Sequence, residues 1–137
     1  MEEKCVLILS ETLPAGVAAN TAAVLGITLG QRRPDLVGSD VFDTDGGCHP
    51  GIVTIPVPIL KASGETLAEL RQKLQEPAFA ELSVIDFSGL AAGCKTYAEY
   101  MAKMAETSGS DLEYFGLAVC GAKKPVNKLT GSLPLFR

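Results

Sequence analysis

The chain has 137 residues, 47% of them hydrophobic and 20% charged, with a formal net charge of −4. That length suits one domain with a core large enough to fold unaided, and the composition excludes a disordered chain. The body is acidic: residues 122–137 hold Lys123, Lys124, Lys128 and Arg137 and no acid, leaving 8 basic against 16 acidic residues before them. Nucleic acid is therefore not expected as a partner, because neutralising phosphates requires clustered Lys and Arg.

Residues 4–10 form a short apolar run with β-branched members (Lys4-Cys-Val-Leu-Ile-Leu-Ser10), which predicts a strand covered on both faces. The acidic start at Glu2-Glu3 and the brevity of this run argue against a cleavable leader. Pro14 then suits a helix start. Ala15 to Leu29 shows almost no polar face, so the helix is expected to be buried nearly all round. Its apolar stretch is too broken, by Asn20, Thr21 and Thr28, for a membrane span. Its small residues, Ala18, Ala19, Ala22, Ala23 and Gly26, permit close approach to the sheet or to a second copy, so a homodimer is expected.

Residues 35–51 read as irregular. A second strand is expected within residues 52–60, confined to an edge because Pro56 and Pro58 cannot donate to a ladder. Ser63 is placed to cap a helix over residues 64–75, where Leu67, Leu70 and Leu74 recur at helical spacing. A third strand is expected over residues 82–87. A helix over 95–106 sets Tyr97, Met101 and Met104 along one side, a stripe expected to pack in the core. A fourth strand follows over residues 113–120. Alternating strands and helices mean a layered α/β fold with a largely parallel sheet.

The four cysteines, Cys5, Cys48, Cys94 and Cys120, are widely spaced with no CxxC pair. They are expected to be reduced thiols in a cytoplasmic protein. No ligand set for a metal is legible: Asp40, Asp43 and Asp45 lack the spacing and closing glutamate of a calcium loop. No cofactor is expected.

His49 is the only histidine, beside Cys48 in a glycine-rich loop, and so the only side chain that ordinarily titrates near neutrality. A catalytic group of His49 with Asp86, and with Cys48, is one expectation. Candidate ligand-binding residues are Asn20 in the apolar helix, Ser88 at the end of the third strand, Cys94 and Lys95 opening the helix that follows, and Thr130. Ligands in open α/β sheets favour the carboxyl ends of strands.

Three segments carry a resemblance: Gly116-Leu-Ala-Val-Cys-Gly121 with Val126-Asn-Lys-Leu-Thr-Gly-Ser-Leu-Pro-Leu135, Val57 to Leu70, and Gly16-Val-Ala-Ala-Asn20-Thr-Ala-Ala. Together they resemble the type II peptidyl-tRNA hydrolases, the first through those enzymes' "D-K-V-T-G-H-L-K-L" segment. With its His-Pro-Gly-Ile block, the pattern is more similar still to a bacterial family of unknown function with that fold. The resemblance implies a three-layer α/β/α sandwich around a four-stranded, mostly parallel mixed sheet, with the predicted strands in the order second, first, fourth, third. The departures bear on function. Gly16 stands where those enzymes carry a lysine, Asn20 where they carry glutamine, Ala23 where they carry histidine and Asn127 where they carry aspartate, while Thr130 is kept. An ester hydrolase needs a proton-transferring group beside the scissile bond. The expectation is thus a protein that binds a small ligand or a partner's segment without that hydrolase activity. The alternative is a hydrolase or acyl-transfer enzyme with a site rebuilt around His49 and Asp86.

Overall fold

The computed structural model describes residues 2–137. Its main elements are β1 (Glu3–Ser10), α1 (Ala15–Arg32), the hairpin strands β2 (Val41–Phe42) and β3 (Cys48–His49), and β4 (Ile59–Ala62). They continue with α2 (Gly64–Lys73), β5 (Ser83–Ser88), the short α3 (Gly89–Ala92), α4 (Tyr97–Ala105), β6 (Tyr114–Ala122) and α5 (Lys123–Thr130). The fold is mixed α/β. A four-stranded sheet in the order β4-β1-β6-β5 forms its centre. In terms of the predicted strands this is second, first, fourth, third.

The sheet is less parallel in its pairing than expected. Only β1 and β4 pair in parallel, whereas β1–β6 and β5–β6 are antiparallel. The cause is the segment between β5 and β6. It carries α3 and α4, yet it returns the chain alongside the strand it left instead of crossing over the sheet, and such a return gives an antiparallel neighbour.

Strand alternation divides the core in two. Val6 and Ile8 of β1 meet Leu67, Leu70 and Leu74 of the α2 segment and Val126 and Leu129 of α5. Cys5, Leu7 and Leu9 point the other way, onto Ala18, Leu25 and Leu29 of α1. Every residue of β1 from Cys5 to Ser10 is buried, as the unbroken apolar run requires. Gly116 of β6 lets α1 come close: a Cβ there would lie 2.9 Å from side-chain carbons of both Leu9 and Thr21.

Two expectations about helices fail for one reason: an apolar sequence does not by itself secure a partner surface. In α1 only the stripe Ala18, Thr21, Leu25 and Leu29 is buried, and the remainder is partly or fully open, with Ile27 76% exposed. In α4 no residue is buried, and Tyr97 and Met101 are 73% and 62% exposed. The Tyr97–Met101 stripe therefore is not core, because α4 packs chiefly against α3 and not over a face of the sheet. The second strand also lies later than expected, at Ile59–Ala62, with both prolines preceding it. Pro58 still serves the sheet, since its carbonyl accepts from Leu7 N at 3.0 Å. Ser63 caps α2 as its type predicts, its Oγ accepting from Thr66 N at 3.1 Å.

The stretch read as irregular contains the β2–β3 hairpin. Asp43 closes its turn: Oδ1 accepts from the Asp45 and Gly47 amides, both at 2.9 Å. Gly46 turns the chain at φ 84°, a left-handed conformation that glycine adopts without a Cβ penalty.

Candidate functional site

The largest gathering of sequence-predicted site residues is a cleft of about 450 Å³ between α1, the outer side of β5 and the start of α4. Val24 and Thr28 come from α1, Ile85, Asp86 and Phe87 from β5, and Ala91 from α3. Cys94, Lys95, Thr96, Tyr97 and Tyr100 complete it. Local sequence explains the last group. Ser88 Oγ accepts from Ala91 N and starts α3, and Thr96 Oγ1 accepts from Glu99 N and starts α4. The short connection between these two capped helices turns Cys94 and Lys95 back toward β5.

Asp86 anchors the polar side of the cleft. Its Oδ2 accepts from Arg71 Nε of α2 at 3.0 Å, with both side chains about a quarter exposed. Arg71 and Tyr114 line a second cleft of about 390 Å³ beside α2. Burial first, and then the Asp86 carboxylate, push the Tyr100 and Tyr114 hydroxyls above the ordinary tyrosine range. Both phenols therefore remain protonated donors at neutral pH. Tyr97 and Tyr100 stand edge to face with ring centroids 5.5 Å apart. The Cys94 thiol donates to the Leu90 carbonyl at 3.2 Å.

The other predicted residues lie elsewhere. His49 Nε2 is 2.8 Å from Asp43 Oδ2 across the β2–β3 hairpin, with both side chains about half exposed. Beside them, the Cys48 thiol faces Asp40 Oδ2 at 3.8 Å. So His49 is partnered by Asp43, whereas Asp86 is partnered by Arg71. Asn20 is exposed on α1. Ser88 is buried beneath α3 as its cap. Thr130 is buried as well, its hydroxyl donating to the Val126 carbonyl at 2.8 Å. Asn127 accepts from Lys4 Nζ. Among the described residues no cluster of three or more His, Cys, Asp or Glu is placed to hold a metal ion. No helix there is long and apolar enough to cross a membrane.

Sequence reasoning missed Arg71, Tyr100, Val24 and Thr28. Arg71 is one step along α2 from the buried Leu70, and a basic residue beside a leucine stripe carries no signal of its partner. Tyr100 follows Tyr97 by one helical turn, but the stripe read from the sequence ran from Tyr97 through Met101 and Met104 and left it out.

Comparison with known proteins agrees with the fold and names no activity. A family model described as a protein of unknown function, DUF2000, matches residues 3–137. A solved structure of a protein of unknown function from Agrobacterium tumefaciens strain C58 superposes with a TM-score of 0.89 at 18% sequence identity. The match covers 100% of this chain and 99% of that one. No curated protein matches the sequence.

Proposed function

The chain belongs to the DUF2000 family of proteins of unknown function, and we propose that it is a binding protein whose ligand sits in the cleft between α1, β5 and α4. One observation carries this reading: Asp86, expected as a catalytic partner of His49, and the adjacent Cys94 and Lys95, expected to bind a ligand, line one cleft together with Tyr97 and Tyr100. Its walls are apolar at Val24, Ile85 and Phe87, and its polar groups are few, as in small-ligand sites generally. The occupant has an apolar body and polar groups that meet the Tyr100 hydroxyl and the Lys95 ammonium.

The scaffold is inferred to be that of the type II peptidyl-tRNA hydrolases, which the strand order supports. Peptidyl-tRNA hydrolysis is not expected, since Gly16 and Ala23 bring no proton-handling group to α1. An enzyme built on His49 and Asp86 has less support, because each is held by a different partner. Self-association is part of the proposal: the solvent side of α1 carries Gly16, Ala19, Ala23 and Ile27, and sedimentation showing a monomer at high concentration would remove it.

Ligand-observed NMR with a fragment library tests the reading. Fragments are expected to bind the wild type and to be lost from Ala91→Trp, which fills the cleft, and weakened by Tyr97→Ser. Binding unchanged in both variants would contradict it, and so would peptidyl-tRNA turnover by the purified protein.

A further inference from the structure

The two edges of the sheet are treated differently. At the β4 edge the closing segment lies alongside as a partial strand: Leu135 bridges Leu60, Lys61 N donates to the Pro134 carbonyl, and Phe136 N donates to the Ile59 carbonyl. At the other edge nothing pairs with β5. Beyond its ladder with β6, no backbone group of Ser83–Phe87 bonds to any other described segment. A row of unpaired amides and carbonyls is a template for another strand, and proteins that avoid one place lysine or other charges, proline or a bulge there, or cover it with a helix or loop. The sequence of β5 is Ser-Val-Ile-Asp-Phe-Ser, without lysine or proline. Its one charge, Asp86, is already held by Arg71.

A groove follows this edge. The cleft described above shares Ile85 with a further cleft of about 390 Å³, lined by Arg32, Leu82, Ser83, Val84 and Ile85. On the helix side the two are joined by Val24, Thr28 and Arg32, spaced by four residues and so stacked on one face of α1. A free strand edge facing a helix is the geometry in which an extended peptide adds to a sheet: main-chain bonds hold it, and alternate side chains enter the pockets. Arg32 is exposed and enters none of the ion pairs among the described residues.

We propose that the groove between α1 and the outer edge of β5 takes an extended polypeptide segment as an added strand. The segment runs antiparallel to β5. It sets apolar side chains at alternate positions against Val24, Ile85 and Phe87, and a carboxylate beside Arg32. The direction follows from that carboxylate: Arg32 lies at the Ser83 end of β5, where an antiparallel segment ends. The inference rests on the cleft being the binding site and specifies its partner class. The open stretch Ser83–Phe87 spans about 17 Å, a length that a hexapeptide covers.

The test uses fluorescence anisotropy on the full chain with hexapeptides alternating apolar and polar residues. One set ends in a free carboxylate, one is amidated, and one is amidated with glutamate as its last residue. Binding is expected from the first set, the third, or both, which distinguishes a terminal carboxylate from an acidic side chain. Methylating alternate backbone nitrogens of a bound peptide should abolish binding. Arg32→Glu, a change at an exposed position, should weaken binding about tenfold, as loss of a charge-assisted bond implies. No binding by any set, or binding indifferent to N-methylation, would overturn the proposal. Fragment binding in the cleft without peptide binding would overturn the added strand alone, and absence of both would remove the binding reading with it. A dimer in sedimentation whose amide shifts change on dilution at Ser83–Phe87 would assign the edge to self-association and overturn the peptide proposal.

Discussion

Arg71 Nε donates to Asp86 Oδ2 at 3.0 Å, tying α2 to the edge strand and fixing the carboxylate at the floor of the candidate cleft. The pair is about a quarter exposed, so solvent screens it and its worth is modest. Arg71→Ala should cost about 1 kcal/mol in urea unfolding, and Asp86→Asn a similar amount. The double variant should cost clearly less than the sum, since the two residues share one interaction. Additive losses would mean that the pair is not coupled in solution.

The hairpin pair makes a pH prediction. His49 first, and then the Gly47 and Asp45 amides, hold the Asp43 carboxyl below the ordinary carboxylate range. A carboxyl depressed in the folded state stabilises the hairpin above its unfolded value and loses that effect as pH falls through its folded value. The Gly47 amide shift should show the step that follows Asp43 protonation below the ordinary carboxylate range. In His49→Ala the transition should shift to higher pH.

Gly116 has no room for a side chain, with Leu9, Thr21 and the Ile8 carbonyl within about 3 Å of where a Cβ would sit. Gly116→Ala should force α1 away from the sheet and destabilise the protein by about 1–3 kcal/mol, read as a lower Tm.

Cys5 and Cys120 face each other across β1 and β6, both fully buried. Burial pushes the Cys5 thiol up to about 12, with the neighbouring Cys120 adding to the effect, and burial raises Cys120 too. Thiol alkylation at neutral pH followed by mass spectrometry should label the exposed Cys48 first. Cys5 and Cys120 should be labelled only on unfolding. Their early labelling in the native state would show that β1 and β6 open readily.

Strands β1 and β6 were legible because they are apolar runs that must be covered on two faces, and caps such as Ser63 announce the helices. Strand direction was not, because residues 89–113 read equally well as a crossover or a return. Nor was the environment of Tyr97 and Met101: helical spacing identifies a face without saying what covers it. The cleft was legible only in part. Asp86, Cys94 and Lys95 stood out as strand-end and helix-start residues, but Arg71 and Tyr100 reach the site through tertiary packing. His49 drew attention by its chemistry, and its partner, Asp43, came from its own hairpin.

The central claim is that the cleft between α1, β5 and α4 is where this protein meets its ligand. Amide chemical-shift mapping of the 15N-labelled chain against the bound fragments tests it most directly. Perturbations should cluster at Val24, Thr28, Ile85, Phe87 and Tyr97. Perturbations confined to the hairpin around Asp43, Cys48 and His49 would contradict the claim and return the site to the histidine.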